Sequence, residues 1–107
     1  MSKIEIEAKV RTSDGKIFTL SPSIVEQIGL LRKMQQNVED DEDNIIPLDR
    51  ISSKVFQLII KWCNEGLDLK NVNRLTVVDL IAAADFLEIP SLVDKATIHI
   101  AALLSSY

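Results

Sequence analysis

Residues 4–10 alternate strictly between apolar and charged side chains, and a period of two is the signature of a strand with one buried face. Ile4, Ile6, Ala8 and Val10 fall on one side; Glu5, Glu7, Lys9 and Arg11 fall on the other. Ser13-Asp14-Gly15 interrupts the pattern. Asp-Gly is a strong hairpin signal, because both residues tolerate positive φ. Lys16 to Leu20 is then the returning strand, with Ile17, Phe18 and Leu20 apolar. A third short strand is expected at Ile45, Ile46 and Leu48. Pro47 has no N–H for a ladder, so this strand lies at a sheet edge or ends there.

The remaining apolar residues recur at helical spacing. Ser21 is an N-cap and Pro22 a first helical residue, followed by Ile24, Val25, Ile28 and Leu31. Gly29 is expected to split this stretch into two short helices. A helix from about Ser52 to Asn64 puts Ile51, Val55, Leu58, Ile59 and Trp62 on one face, widened by Phe56, Ile60 and Cys63. Ser53, Lys54, Gln57, Lys61 and Asn64 are left for solvent. Residues 65–75, with Gly66 and two Asn, are expected to form a linker. Thr76 with Asp79 is a variant capping box for the next helix, whose core face is Val77, Leu80, Ile81, Ala84 and Leu87. Pro90 stops that helix and starts another, running to about Leu104. On this last helix Val93, Ala96, Thr97, Ile100, Leu103 and Leu104 share an arc. The expected order is β-β-α-α-β-α-α-α, an α+β fold.

Length and charge narrow the function. A chain of 107 residues has room for one domain. The net charge is -4, and none of the 12 Lys and Arg forms a dense patch. Phosphate affinity rests on clustered cations, so neither nucleic acid nor an anionic membrane is an expected partner. The acidic run at residues 39–43 repels itself and reads as a solvated loop, with an acidic docking site as the other reading. No uncharged apolar run approaches the ~18 residues of a membrane span. A secretory leader is not expected. One cysteine, Cys63, forms no internal disulfide and no Cys-based metal site alone. The cytosol or the nucleus is the expected compartment.

Catalytic groups do not converge in this sequence. His99 is the only histidine, on an apolar helix. Cys63 lies on a core-rich helix, where an inert buried thiol is expected. The three Gly stand apart at 15, 29 and 66, so no phosphate loop exists. The acidic run lacks the spaced ligands and turn glycine of a calcium loop. No enzyme, metal or cofactor is expected.

Two features suit a protein partner instead. Phe86 points about 180° from Val77 around its helix, among Asp79, Ala82, Ala83 and Asp85. Either it packs beneath another helix of its own domain, or it is an exposed aromatic anchor of the kind that dominates interfaces. On the last helix, Ile98 and Ala102 extend the apolar surface beyond one face. That surface is either buried or open to a partner.

Four segments carry a resemblance across residues 6 to 104. Thr12-Ser13-Asp14-Gly15-Lys16-Ile17-Phe18, Ile46-Pro47-Leu48, Ile59-Ile60-Lys61-Trp62-Cys63 and the stretch from Leu80 to Ile89 resemble the Skp adaptor family of SCF ubiquitin ligases. Elongin C is a more distant likeness. The resemblance implies a BTB/POZ fold, a three-stranded sheet packed with about five helices, without the family's last C-terminal helices. It implies an adaptor between a cullin and an F-box or F-box-like receptor. The cullin-binding residues it implies are Asp85, Phe86, Ala82 and Glu88. Asp85-Phe86 stands where the family has Asn-Tyr. The receptor-binding residues it implies are Leu92, Val93, Ala96, Ile98 and Ile100, with binding weakened because the following helices would lie beyond residue 107. A self-associating BTB module, forming a homodimer outside the ubiquitin pathway, is the rival expectation.

Overall fold

The fold was obtained as a computed structural model, which describes residues 8–37 and 45–105. Ile4 and Ile6, the acidic run at 39–43, and Ser106 and Tyr107 lie outside the described residues.

Strands β1 (Ala8–Thr12) and β2 (Ile17–Leu20) form the expected hairpin, with Gly15 at φ 84° in its turn. β3 (Ile45–Leu48) pairs parallel to β1, giving the order β2-β1-β3. Pro47 is therefore on an edge strand, where a missing donor is tolerated. The register aligns Leu20 with Ala8, Phe18 with Val10 and Ile46, and Leu48 with Thr12. All face inward and are buried, except Phe18, which is half-buried. Ile17 and Thr19 face out.

Helices cover the inner face. They are α1 (Pro22–Gln27), α2 (Gly29–Asn37), α3 (Ser53–Glu65), α4 (Arg74–Phe86) and α5 (Pro90–Ser105). α1 packs on α3 and β2, α3 on α4, and α4 on α5. Phe56 of α3 is fully buried and meets Phe18 edge-on at 5.2 Å between centroids, a favoured aromatic arrangement.

Two local devices hold these layers in place. The first is the Asp14 carboxylate. One oxygen accepts from Thr12 Oγ1 at 2.7 Å and from the Ser53 N–H at 2.9 Å; the other accepts from Ser53 Oγ at 2.5 Å. A negative group thus sits at the N-terminus of α3, where it complements the helix dipole. Ser13 adds a backbone bond to the Ile51 carbonyl at 2.8 Å. The hairpin turn is so tied to the start of α3. Ser53, expected in solvent, is buried because its hydroxyl serves this clamp.

The second device joins α2 to α4. The N–H groups of Gly29 and Leu30 donate to the carbonyls of Glu88 and Leu87 at 3.2 and 2.9 Å. A Cβ added at Gly29 would lie 2.6 Å from the Glu88 carbonyl oxygen. So Gly29 does split the helices, but what requires glycine there is this close approach. α4 ends in a Schellman arrangement: the Ile89 N–H donates to Ala84 at 2.9 Å and the Glu88 N–H to Asp85 at 3.1 Å. Glu88 takes the left-handed position at φ 61°, usually a glycine's. Its side chain pairs with Lys33.

Residues 65–75 do more than link. Leu67 and Leu69 are core residues, and Asp68 caps a 3-10 turn, Leu69–Asn71, by accepting from the Lys70 N–H at 3.0 Å. The cap of α4 is Asn73, accepting from the Leu75 N–H at 2.8 Å, rather than Thr76. Asn73 wins because its side-chain carbonyl reaches the orphan donors of the first turn.

Gly29→Ala is expected to destabilise the fold by about 1–3 kcal/mol, read by denaturant titration; an unchanged midpoint would mean the joint can open at no cost. The hydrogen bonds from Ser53 and Thr12 hold the Asp14 carboxyl well below the ordinary carboxylate range. A pKa lowered by folding contributes stability that is present above the unfolded value, about 3.9, and lost as pH falls below it. Asp14→Asn should lower the melting temperature at neutral pH and flatten its decline on acidification below about pH 4. Parallel melting curves for the two proteins down to acid pH would remove the carboxylate from this account.

Candidate functional site

Phe86 is the last residue of α4, and the way that helix ends decides where its ring stands. Val77, Leu80, Ala83 and Ala84 of α4 are buried. Leu87 and Ile89, just past its end, are buried too, and the reversal at Glu88 turns the chain inward there. Phe86 is left on the opposite side, 43% exposed. Of the other aromatics described, Phe18 and Phe56 pack together and Trp62 receives the Lys95 ammonium at 5.4 Å. Phe86 has no ring or cation contact among the described residues.

The ring stands at the rim of a cleft of about 490 Å³. Asp79, Ala82, Ala83 and Asp85 of α4 form one wall; Ser13, Arg50 and Ser52 face them from the hairpin turn and the approach to α3. Ile51 and Val55, both buried, lie beneath. The Asp14 clamp fixes that far wall. Sequence reading found Asp14 only as a turn former, because its partner Ser53 is distant in the chain.

Of the three residues grouped with Phe86, Ala82 and Asp85 are exposed beside it. Glu88 is half-buried and engaged within the domain, by its backbone to Gly29 and its side chain to Lys33. Asp85 also lines a second groove, of about 410 Å³, with Gly29, Arg32, Val93 and Asp94.

The five residues grouped on α5 do not converge. Leu92 and Ala96 are fully buried and serve the domain's own core. Val93 and Ile100 are half-buried, and Ile98 is 69% exposed. Ile98 lines a groove with Lys61, Leu67, Lys95, His99 and Ala102. Ile100 lines a different one, of about 570 Å³, with Leu75, Val78, Leu103 and Leu104. Leu75 and Leu104 are 77% and 67% exposed. Leu75 was missed because 65–75 read as linker, and recognising Asn73 as the cap would have brought it into the helix; Val78 lay within the expected helix but off its core face.

Cys63 is half-buried, and burial pushes its thiol up, away from the reactive thiolate. Among the described residues no three His, Cys, Asp or Glu side chains gather as a metal site, and no helix is long and apolar enough to cross a membrane.

Comparison with known proteins places a family on this fold. The Skp1 family, tetramerisation domain, matches residues 7–68. SKP1-like protein 10 of Arabidopsis thaliana is 30% identical over 104 residues, covering 81% of this chain and 67% of that protein. SKP1-like protein 1 of Oryza sativa subsp. japonica is 29% identical over 120 residues, covering 79% and 68%. SKP1-like protein 9 of Arabidopsis thaliana is 29% identical over 113 residues, covering 89% and 72%.

Proposed function

This chain belongs to the Skp1 family, and on that premise we propose that it is a non-catalytic adaptor, joining a cullin scaffold to a substrate receptor in an SCF-like ubiquitin ligase. The observation that carries the reading is the Phe86 ring, exposed at the end of α4 with no ring or cation contact among the described residues. Adaptors work by surface alone. Such a ring enters an apolar pocket on the cullin, and a few buried aromatic anchors supply most of the affinity of an interface. Asp85 and Ala82 flank it, and Glu88 holds the helix end in shape. The lost hydroxyl, relative to the family's Tyr, favours a pocket with no donor or acceptor left to satisfy.

An F-box or F-box-like receptor takes the other surface. The exposed apolar residues Leu75, Val78 and Leu104 suit it, together with the half-buried Ile100, along the groove between the start of α4 and the end of α5. Ile98 lies off this groove and contributes at its border at most. Leu92, Val93 and Ala96 act indirectly, by seating α5 on α4. A second reading is self-association: the same exposed leucines suit a second copy of the chain, and the matched family domain is described as a tetramerisation domain. Sedimentation separates the two, since a tight dimer with no cullin affinity belongs to the second alone.

Phe86→Ala is expected to weaken capture of a cullin by about 2 kcal/mol and to leave the melting temperature nearly unchanged. A large fall in melting temperature would assign the ring to the core instead. Leu104→Asp should reduce receptor capture severalfold while cullin capture persists, checked by titrating each partner separately. Equal loss of both would merge the two surfaces into one.

A further inference from the structure

The charges around Phe86 are uneven. Asp79 and Asp85 stand on the same helix as the ring, both exposed, and neither carboxylate has an ion-pair or hydrogen-bond partner among the described residues. Asp94 lines the adjoining groove, likewise without such a partner. Two cations face these acids from the outer walls: Arg50 across the first cleft and Arg32 across the second, neither paired with an acid among the described residues. Glu88 is already matched by Lys33. The ridge that bears the anchor is thus acidic, and the cations stand back from it.

An apolar pocket that closed over Phe86 would strip water from Asp85 beside it. A carboxylate desolvated without a counter-charge or donors opposes binding. Ala82, between Asp79 and Asp85 on the exposed side of α4, is small and leaves room for a long side chain to lie along the helix. A guanidinium can stack on an aromatic face and donate to carboxylates in the same pose.

Resting on the cullin reading above, we propose that the partner at this ridge presents a basic side chain, an arginine in the first instance, beside the pocket for Phe86, and that Asp85 with Asp79 selects it. The Asp85 charge then determines which cullin is accepted, while Phe86 supplies affinity to any that fits.

The test is titration of the full chain with the N-terminal domains of several cullins at low and moderate salt. Asp85→Asn should weaken the preferred cullin about three- to tenfold, and with Asp79→Asn added should flatten the salt dependence. Arg50→Gln, which removes a competing cation from the far wall of the cleft, should raise affinity. Circular dichroism of each variant keeps folding losses apart from binding losses. If Phe86→Ala weakens binding while both Asp variants retain affinity and salt dependence, the basic-partner inference is overturned and the adaptor reading stands. Tighter binding by Asp85→Asn, or loss in Arg50→Gln alone, also overturns it by pointing to a neutral or acidic partner. If no cullin binds the unaltered chain, both readings are rejected.

Discussion

The end of α4 and the start of α2 satisfy each other's backbone, and the exposed Phe86 ring is positioned by that joint. Helix termini leave N–H groups unmet at one end and carbonyls at the other. Here Gly29 and Leu30 bring the donors, and Leu87 and Glu88 the acceptors. The opposed ends also bring the positive pole of one helix dipole to the negative pole of another. Because α4 must stop where its carbonyls are received, Phe86 becomes its last turn. The left-handed turn at Glu88 carries Leu87 and Ile89 into the core and leaves the ring outside. A side chain at position 29 would force the ends apart, so one missing Cβ underlies the placement of a residue far along the chain.

The cleft beside Phe86 depends on a second anchorage of a different kind. Its far wall is loop, and loops hold position only when their polar groups are engaged. The Asp14 carboxylate engages three donors at once, two of them from Ser53. One wall is therefore set by backbone joined to backbone, and the other by a charged side chain on a helix start. The cleft is held from both sides, and a surface held in this way has little ordering cost left to meet when a partner binds.

Much of the fold was legible from periodicity. Alternation marked Ala8 and Val10 as buried, and helical phase separated Val77 from Phe86. Pro22, Gly29 and Pro90 marked helix boundaries at the positions observed. What escaped was non-local. Ser53 looked like a solvent residue because its acceptor lies across the fold. Leu67 and Leu69 looked like linker because Gly66 and the asparagines outweighed two isolated leucines. Thr76 displaced Asn73 as the cap because both residue types can fill that role, and only the backbone path decides. On α5, apolar residues fill more than one face, and helical phase put Ala96, which is internal, on one arc with Leu104, which is not.

β3 lies parallel to β1, with the hairpin's second strand on β1's other side. A parallel neighbour cannot be reached by a tight turn, so the chain must first travel through α1 and α2. During synthesis the hairpin can close soon after it emerges, as local contacts form fastest. Its open flank then waits, unpaired, for Ile45–Leu48 to arrive. The nascent chain is most prone to wrong strand pairing in that interval, and the late-arriving strand, not the hairpin, completes the floor on which the helices assemble.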